Sequence, residues 1–368
     1  MDPAGPVARR FPLVARSRPA CTPLDARVGE LCALADAAER DGDPSSASVV
    51  FNQAALLASD LGLPDLARAW CHRHAELYLH ACPLNGKAAR RALEPLVNLA
   101  RLRIRDGDGD GALRLLTDLY EAVTTRADTV LDGLPVRAGT LTSTTDDHRE
   151  VRQWLWGVLL AEGARALTSA GRWQDALAHL QQHNGVGRRM LDGRQVAVIA
   201  SSTAGDAQGA LALLADTVPG EPWENTVTAC LTVLSRRAAH QPVDDDLAVL
   251  VDRYQRLVPA PGLTVFSVRL GLSILDAAEG AEHPGVRNVA ATLIQRAIAS
   301  RDGYAAREVL AHEGCAALLT GEQTRKLAGV VEVCAMGHRR FPVRSRAGLF
   351  IALNTSEAVL SHSLRRSQ

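Results

Sequence analysis

Leu159-Leu-Ala-Glu-Gly-Ala-Arg-Ala-Leu-Thr-Ser-Ala-Gly-Arg-Trp-Gln-Asp-Ala-Leu-Ala-His-Leu180 carries two runs of helical period joined at Gly171, with Ala164 seven residues before that glycine and Ala176 five after it. The same spacing recurs at Ala35, Gly42 and Ala47, at Ala100, Gly107 and Ala112, and at Val198, Gly205 and Ala210. Small residues at the outer places let two helix backbones approach, and the glycine permits the turn between them. The last two sets in the chain are offset by 34 residues throughout.

That period and the quoted stretch, with Trp173 two residues past the turn glycine and Pro222 near the end of the next unit, resemble tetratricopeptide repeats. The resemblance covers residues 26–123 and 155–222. It implies an all-α fold, a right-handed superhelix of stacked antiparallel helical hairpins whose groove takes a protein or peptide partner. The Lys and Asn pattern of the family's carboxylate clamp is not matched by Asp36, Glu39, Arg101 and Arg165, which the repeat register turns toward the groove.

Working outward, residues 1–23 carry five prolines without periodicity and read as a disordered arm. Residues 24–123 read as helical hairpins, with an extra helix pair at 63–82 and 87–105 that Pro95 should kink or restart. Residues 124–148 form a long loop, a lid, a binding loop or a linker, with Asp146 or Asp147 capping the helix that follows. Repeats resume over 149–222, and 223–368 forms a divergent helical region.

Composition narrows the function classes. Apolar residues make up 47% but aromatics only 4%, so the core is built from Ala, Leu and Val, as close-packed helices require. Lys plus Arg and Asp plus Glu balance at 41 each, so no overall field draws the chain to nucleic acid or an anionic surface, and the arginine-rich ends read as solubilising. Seven cysteines with no C-x-x-C pair argue for a reducing cytoplasm, and no stretch is apolar enough for a signal or membrane span.

Each partial motif is incomplete. Asp106-Gly-Asp108-Gly-Asp110 opens like a calcium loop but has Thr117 where the bidentate Glu belongs. His74-Ala-Glu76 is half of a zinc-deaminase pair, and Asp244-Asp-Asp246 lacks the second box and aromatic lining of a terpene synthase. Gly86-Lys87 lacks the rest of a P-loop. We therefore expect no catalytic residue, metal or cofactor.

The expected binding surface lies between residues 63 and 170. It gathers the row His72, Glu76 and His80, spaced i, i+4, i+8, with Arg101, Arg165, Trp154 and Trp156. The leading expectation is a non-catalytic scaffold for a protein or peptide, without direct nucleic-acid or membrane binding. Two alternatives stand beside it: a ligand sensor acting through a partner, like the repeat halves of bacterial transcription regulators, and a helical enzyme with an inter-helix pocket.

Overall fold

The computed structural model describes residues 1–278 and 284–366; positions 279–283 and 367–368 of the expected 223–368 region lie outside them. The chain is mostly helical, and its helices pack in neighbouring pairs. It forms two compact units, each assembled from two separated stretches of sequence.

The first unit comprises Leu24–Ala166 and Ala335–Gln368. Its helices are α1 (Leu24–Asp41), α2 (Pro44–Asp60), α3 (Pro64–Leu79), α4 (Gly86–Arg105) and α5 (Gly109–Thr125), each packed on the next. A hairpin of β1 (Thr129–Leu131) and β2 (Leu134–Val136) follows, then α6 (Thr145–Val158) and a π turn over Leu159–Gly163 that leads into α7 (Ala164–Ser169). The unit border falls within α7.

The second unit comprises Met1–Pro23 and Leu167–Cys334. It holds α8 (Trp173–Gln182), α9 (Asp192–Thr203), α10 (Ala207–Ala215), α11 (Pro222–Ala238) and α12 (Asp244–Arg256). It continues with α13 (Thr264–Ala277), α14 (Pro284–Ser300), α15 (Gly303–Ala311), α16 (Glu313–Ala316) and α17 (Gly321–Val333). The last helix, α18 (Val343–Arg366), returns to the first unit.

The seven-and-five register is met at every position. Ala35, Ala47, Ala100, Ala112, Ala164, Ala176, Val198 and Ala210 are all 0% exposed. Gly42, Gly107, Gly171 and Gly205 all have positive φ, between 62° and 83°, where a side chain would be strained. After each glycine the next residue donates its N–H to the carbonyl five positions back: Asp43 to Ala38, Asp108 to Arg103, Arg172 to Leu167 and Asp206 to Ser201. This closes the helix end before the chain reverses. Asp43, Asp108 and Asp206 then cap the following helix, accepting from the backbone N–H of Ser46, Gly111 and Gly209.

Replacing Ala176 by Leu is therefore expected to overpack the second unit by about 1–3 kcal/mol. Ala178, exposed on the same helix, provides the control. Equal melting temperatures for Ala176→Leu and Ala178→Leu would contradict the register.

Four expectations need correction. Residues 1–23 are not a loose arm, because Ala8, Phe11, Leu13 and Cys21 are buried at 0–4% exposure in the second unit. The region 223–368 is not one body: α18 buries Leu349, Leu353 and Leu360 against α1 and α2, so the basic C-terminal stretch is part of a core. Helix α4 does not restart at Pro95 but continues through it. The cap of α6 is Thr144, whose hydroxyl accepts from the Asp147 N–H, while Asp146 and Asp147 occupy the first turn.

The stretch 124–148 is ordered. Asp132 and Gly133, with φ of 51° and 86°, make the tight reversal that Asp-Gly favours between strands. Leu131, Leu134, Val136, Ala138 and Leu141 beneath it are at most 2% exposed. Its far end is tied to the α3–α4 connection: Leu84 donates to Leu141 at 2.9 Å and accepts from Ser143 at 2.8 Å.

Candidate functional site

The polar side of α4 organises the first unit. Its apolar positions, Ala89, Ala92, Leu93, Leu96, Val97 and Ala100, are buried. Between them Lys87, Arg90, Arg91, Glu94, Asn98 and Arg101 recur at helical spacing and form a stripe on the other side. At its C-terminal end the stripe is knitted to neighbouring helices. Asn52 on α2 donates to Glu94 at 2.9 Å, Asn98 donates to Asn52 at 3.0 Å, and Arg101 donates to Asn98 at 3.0 Å. Arg101 also donates to Glu162 at 2.7 Å, and Arg165 stands 3.6 Å from the second oxygen of that carboxylate. Glu162 is only 8% exposed and belongs to the π turn, a local widening that is common at functional sites.

The N-terminal end of the stripe is open. Lys87, Arg90, Arg91, Glu94 and Trp154 line a cleft of about 230 Å³. The Arg90 guanidinium stands 5.4 Å over the Trp154 ring and 3.5 Å from Glu150. Among the described residues Lys87, which is exposed, makes no ion pair. Arg91 reaches the Tyr78 phenol, which burial pushes up despite the opposing pull of its hydrogen bonds to Ser48 and Arg91.

The seven expected residues do not form one surface. Arg101 and Arg165 meet at Glu162, and Trp154 lines the cleft. Trp156, two residues on and so about 200° round the helix, is 39% exposed and does not line the cleft. Glu76 on α3 and His80 at its C-cap are exposed, while His72 bonds Asp132 of the hairpin at 2.7 Å.

Asp132 is a structural hub. Its carboxylate, 1% exposed, accepts from Arg68, His72 and Arg103, each at 2.7 Å. Burial works to raise its pKa, but the hydrogen bonds from His72 and Arg103 and the charge of Arg68 outweigh that and hold it below the usual carboxylate range. The hub fastens the hairpin tip to α3 and α4.

The other partial motifs are absorbed by the fold. Asp108 is a helix cap, and the three aspartates from Asp244 open α12, where their charge suits the helix dipole. Among the described residues no group of three His, Cys, Asp or Glu side chains is placed to hold a metal. Burial pushes the thiols of Cys71, Cys230 and Cys315 up to about 12, so they stay protonated at neutral pH. Among the described residues no helix is long and apolar enough to cross a membrane.

Sequence reasoning missed Lys87, Arg90, Arg91 and Glu94. The signal is present as a polar stripe opposite the apolar face of α4, made of residue types common on any solvated helix. No protein family, curated protein or solved structure matches the chain.

Proposed function

We propose that the chain is a binding scaffold whose first unit takes a segment of a partner protein along the polar side of α4. The stacked hairpins are read as a right-handed superhelix of tetratricopeptide type, whose groove this stripe lines. The observation that carries the reading is the cleft beside Trp154, where three cations surround one carboxylate already engaged by Asn52. Such a site suits an acidic segment with a flat or apolar group for the indole, because Arg and aromatic residues together make strong anchors. The enzymatic alternative rests on the row His72, Glu76 and His80 and on the 124–148 stretch, and His72 bonds Asp132 of that stretch at 2.7 Å.

Arg101 and Arg165 are poor test positions, because removing them would strand the buried Glu162. Lys87 and Arg90 are exposed, and reversing them strands no buried charge. An acidic peptide carrying one aromatic residue is expected to perturb Trp154 emission in a low-salt titration of the full chain. In Lys87→Glu with Arg90→Glu it should bind about tenfold or more weakly, a loss of about 1.4 kcal/mol. Trp154→Phe identifies which tryptophan responds. Equal affinity for the reversed and unreversed proteins would sink the reading.

A further inference from the structure

The stretch Met1–Pro23 belongs to the second unit, yet the chain that follows it, beginning at α1, belongs to the first. Apart from its own three-residue 3-10 turn at Ala8–Arg10, the arm is therefore continuous with no helix of the unit that holds it. Residues 11–23 contain no helix or strand, and side chains from distant parts of the sequence bond the backbone of Leu13 and Cys21.

The Gln195 side chain, 0% exposed on α9, accepts from the Leu13 N–H at 2.6 Å and donates to the Leu13 carbonyl at 2.8 Å. Cys21 is held in the same two-sided way. Its N–H donates to the buried Asp302 carboxylate at 3.1 Å, and its carbonyl accepts from the Gly303 N–H at 2.8 Å. Farther up the arm, the Trp173 indole donates to the Pro3 carbonyl at 3.0 Å. Contacts to main-chain groups hold any extended sequence; side-chain pockets then select among sequences.

Selection falls on apolar and basic residues. Phe11 and Leu13 are 4% and 3% exposed. Arg10 pairs with Asp276 on α13, Arg16 with Asp192 at 2.6 Å, and the Arg18 guanidinium lies 4.0 Å over the Tyr304 ring. Two-sided reading of the backbone, buried apolar side chains and an acidic or aromatic partner for three of the four arginines together describe a seated peptide ligand.

We propose that the helices of the second unit form a receptor for an unfolded segment of basic and apolar character, and that Met1–Pro23 is its tethered occupant. A partner segment with the chemistry of Arg10-Phe-Pro-Leu-Val-Ala-Arg16 takes the same seat when the arm leaves. The inference is independent of the α4 cleft, which lies in the other unit and takes an acidic segment.

The test uses the full chain and a fluorescent peptide of residues 5–21. A tethered arm at millimolar effective concentration outcompetes a free peptide, so the unaltered protein should bind it weakly. Phe11→Ala with Leu13→Ala loosens the arm and leaves the receptor untouched, and should raise peptide affinity roughly tenfold or more. Adding Gln195→Leu should abolish that gain, as should alanine at both apolar positions of the peptide. Hydrogen exchange across residues 167–334 reports whether the second unit stays folded. No gain in binding by the arm variant, or free exchange throughout 167–334, would mean that the arm is a core strut and would overturn the proposal.

Discussion

Asp132→Ala is expected to lower the unfolding free energy by about 3 kcal/mol and to free the 124–148 stretch from α3 and α4. The carboxylate is 1% exposed and collects Arg68, Arg103 and the His72 ring at one hairpin tip. Truncation leaves Arg68, His72 and Arg103 facing each other with nothing between them. Their side chains are 54%, 26% and 33% exposed, so water replaces part of what is lost. That places the cost at the lower end of what breaking a buried ion cluster entails. A chemical-denaturation midpoint unchanged from wild type would show that the hub holds nothing.

The second large effect concerns acid. His74 is 1% exposed, stacked on Phe51 at 5.0 Å and edge-on to Tyr78 at 5.7 Å, and neither ring nitrogen has a hydrogen-bond partner. Burial lowers its pKa from 6.5 to about 3. The unfolded chain therefore binds a proton that the folded chain refuses, and stability is complete above pH 6.5 and falls as the pH drops toward 3. The slope is about 1.4 kcal/mol per pH unit, so by about pH 4 the loss reaches roughly 3 kcal/mol. In His74→Leu the difference between midpoints at neutral pH and at about pH 4 should shrink by that amount. Parallel pH profiles for the two proteins would contradict the assignment.

These features differ in how far the sequence disclosed them. The hairpin register was legible because it is local: Ala35, Gly42 and Ala47 are set by one turn and the two helix ends around it, and the burial and dihedrals at each matching set follow from that geometry. The Asp132–Gly133 reversal was also local, with Val130, Leu131, Leu134 and Val136 flanking a turn dipeptide, but its three hydrogen-bond donors come from two other helices and leave no mark nearby. The arm was misread for the same reason. Its prolines and arginines have the composition of a disordered segment, while the groups that order it, Gln195, Asp276 and Asp302, stand far along the chain. In the candidate site, Lys87, Arg90, Arg91 and Glu94 were readable as a stripe. The association of Arg101 with Glu162 depended on a π turn that no spacing rule anticipates.

The return of α18 to the first unit also sets an order of events during synthesis. Ser345 on α18 donates to Asp25 on α1, a contact spanning 320 positions. Against a contact 40 positions apart, that is three doublings of loop length and about 2 kcal/mol of closure entropy. The ribosome makes α1 and α2 well before α18, so the faces that receive Leu349, Leu353 and Leu360 stay bare until Val343–Arg366 has been made. A chain that stalls before Val343 presents that apolar surface to whatever is nearby, and truncation at the C-terminal end should register in a cell as poor yield and chaperone retention rather than as the loss of a tail.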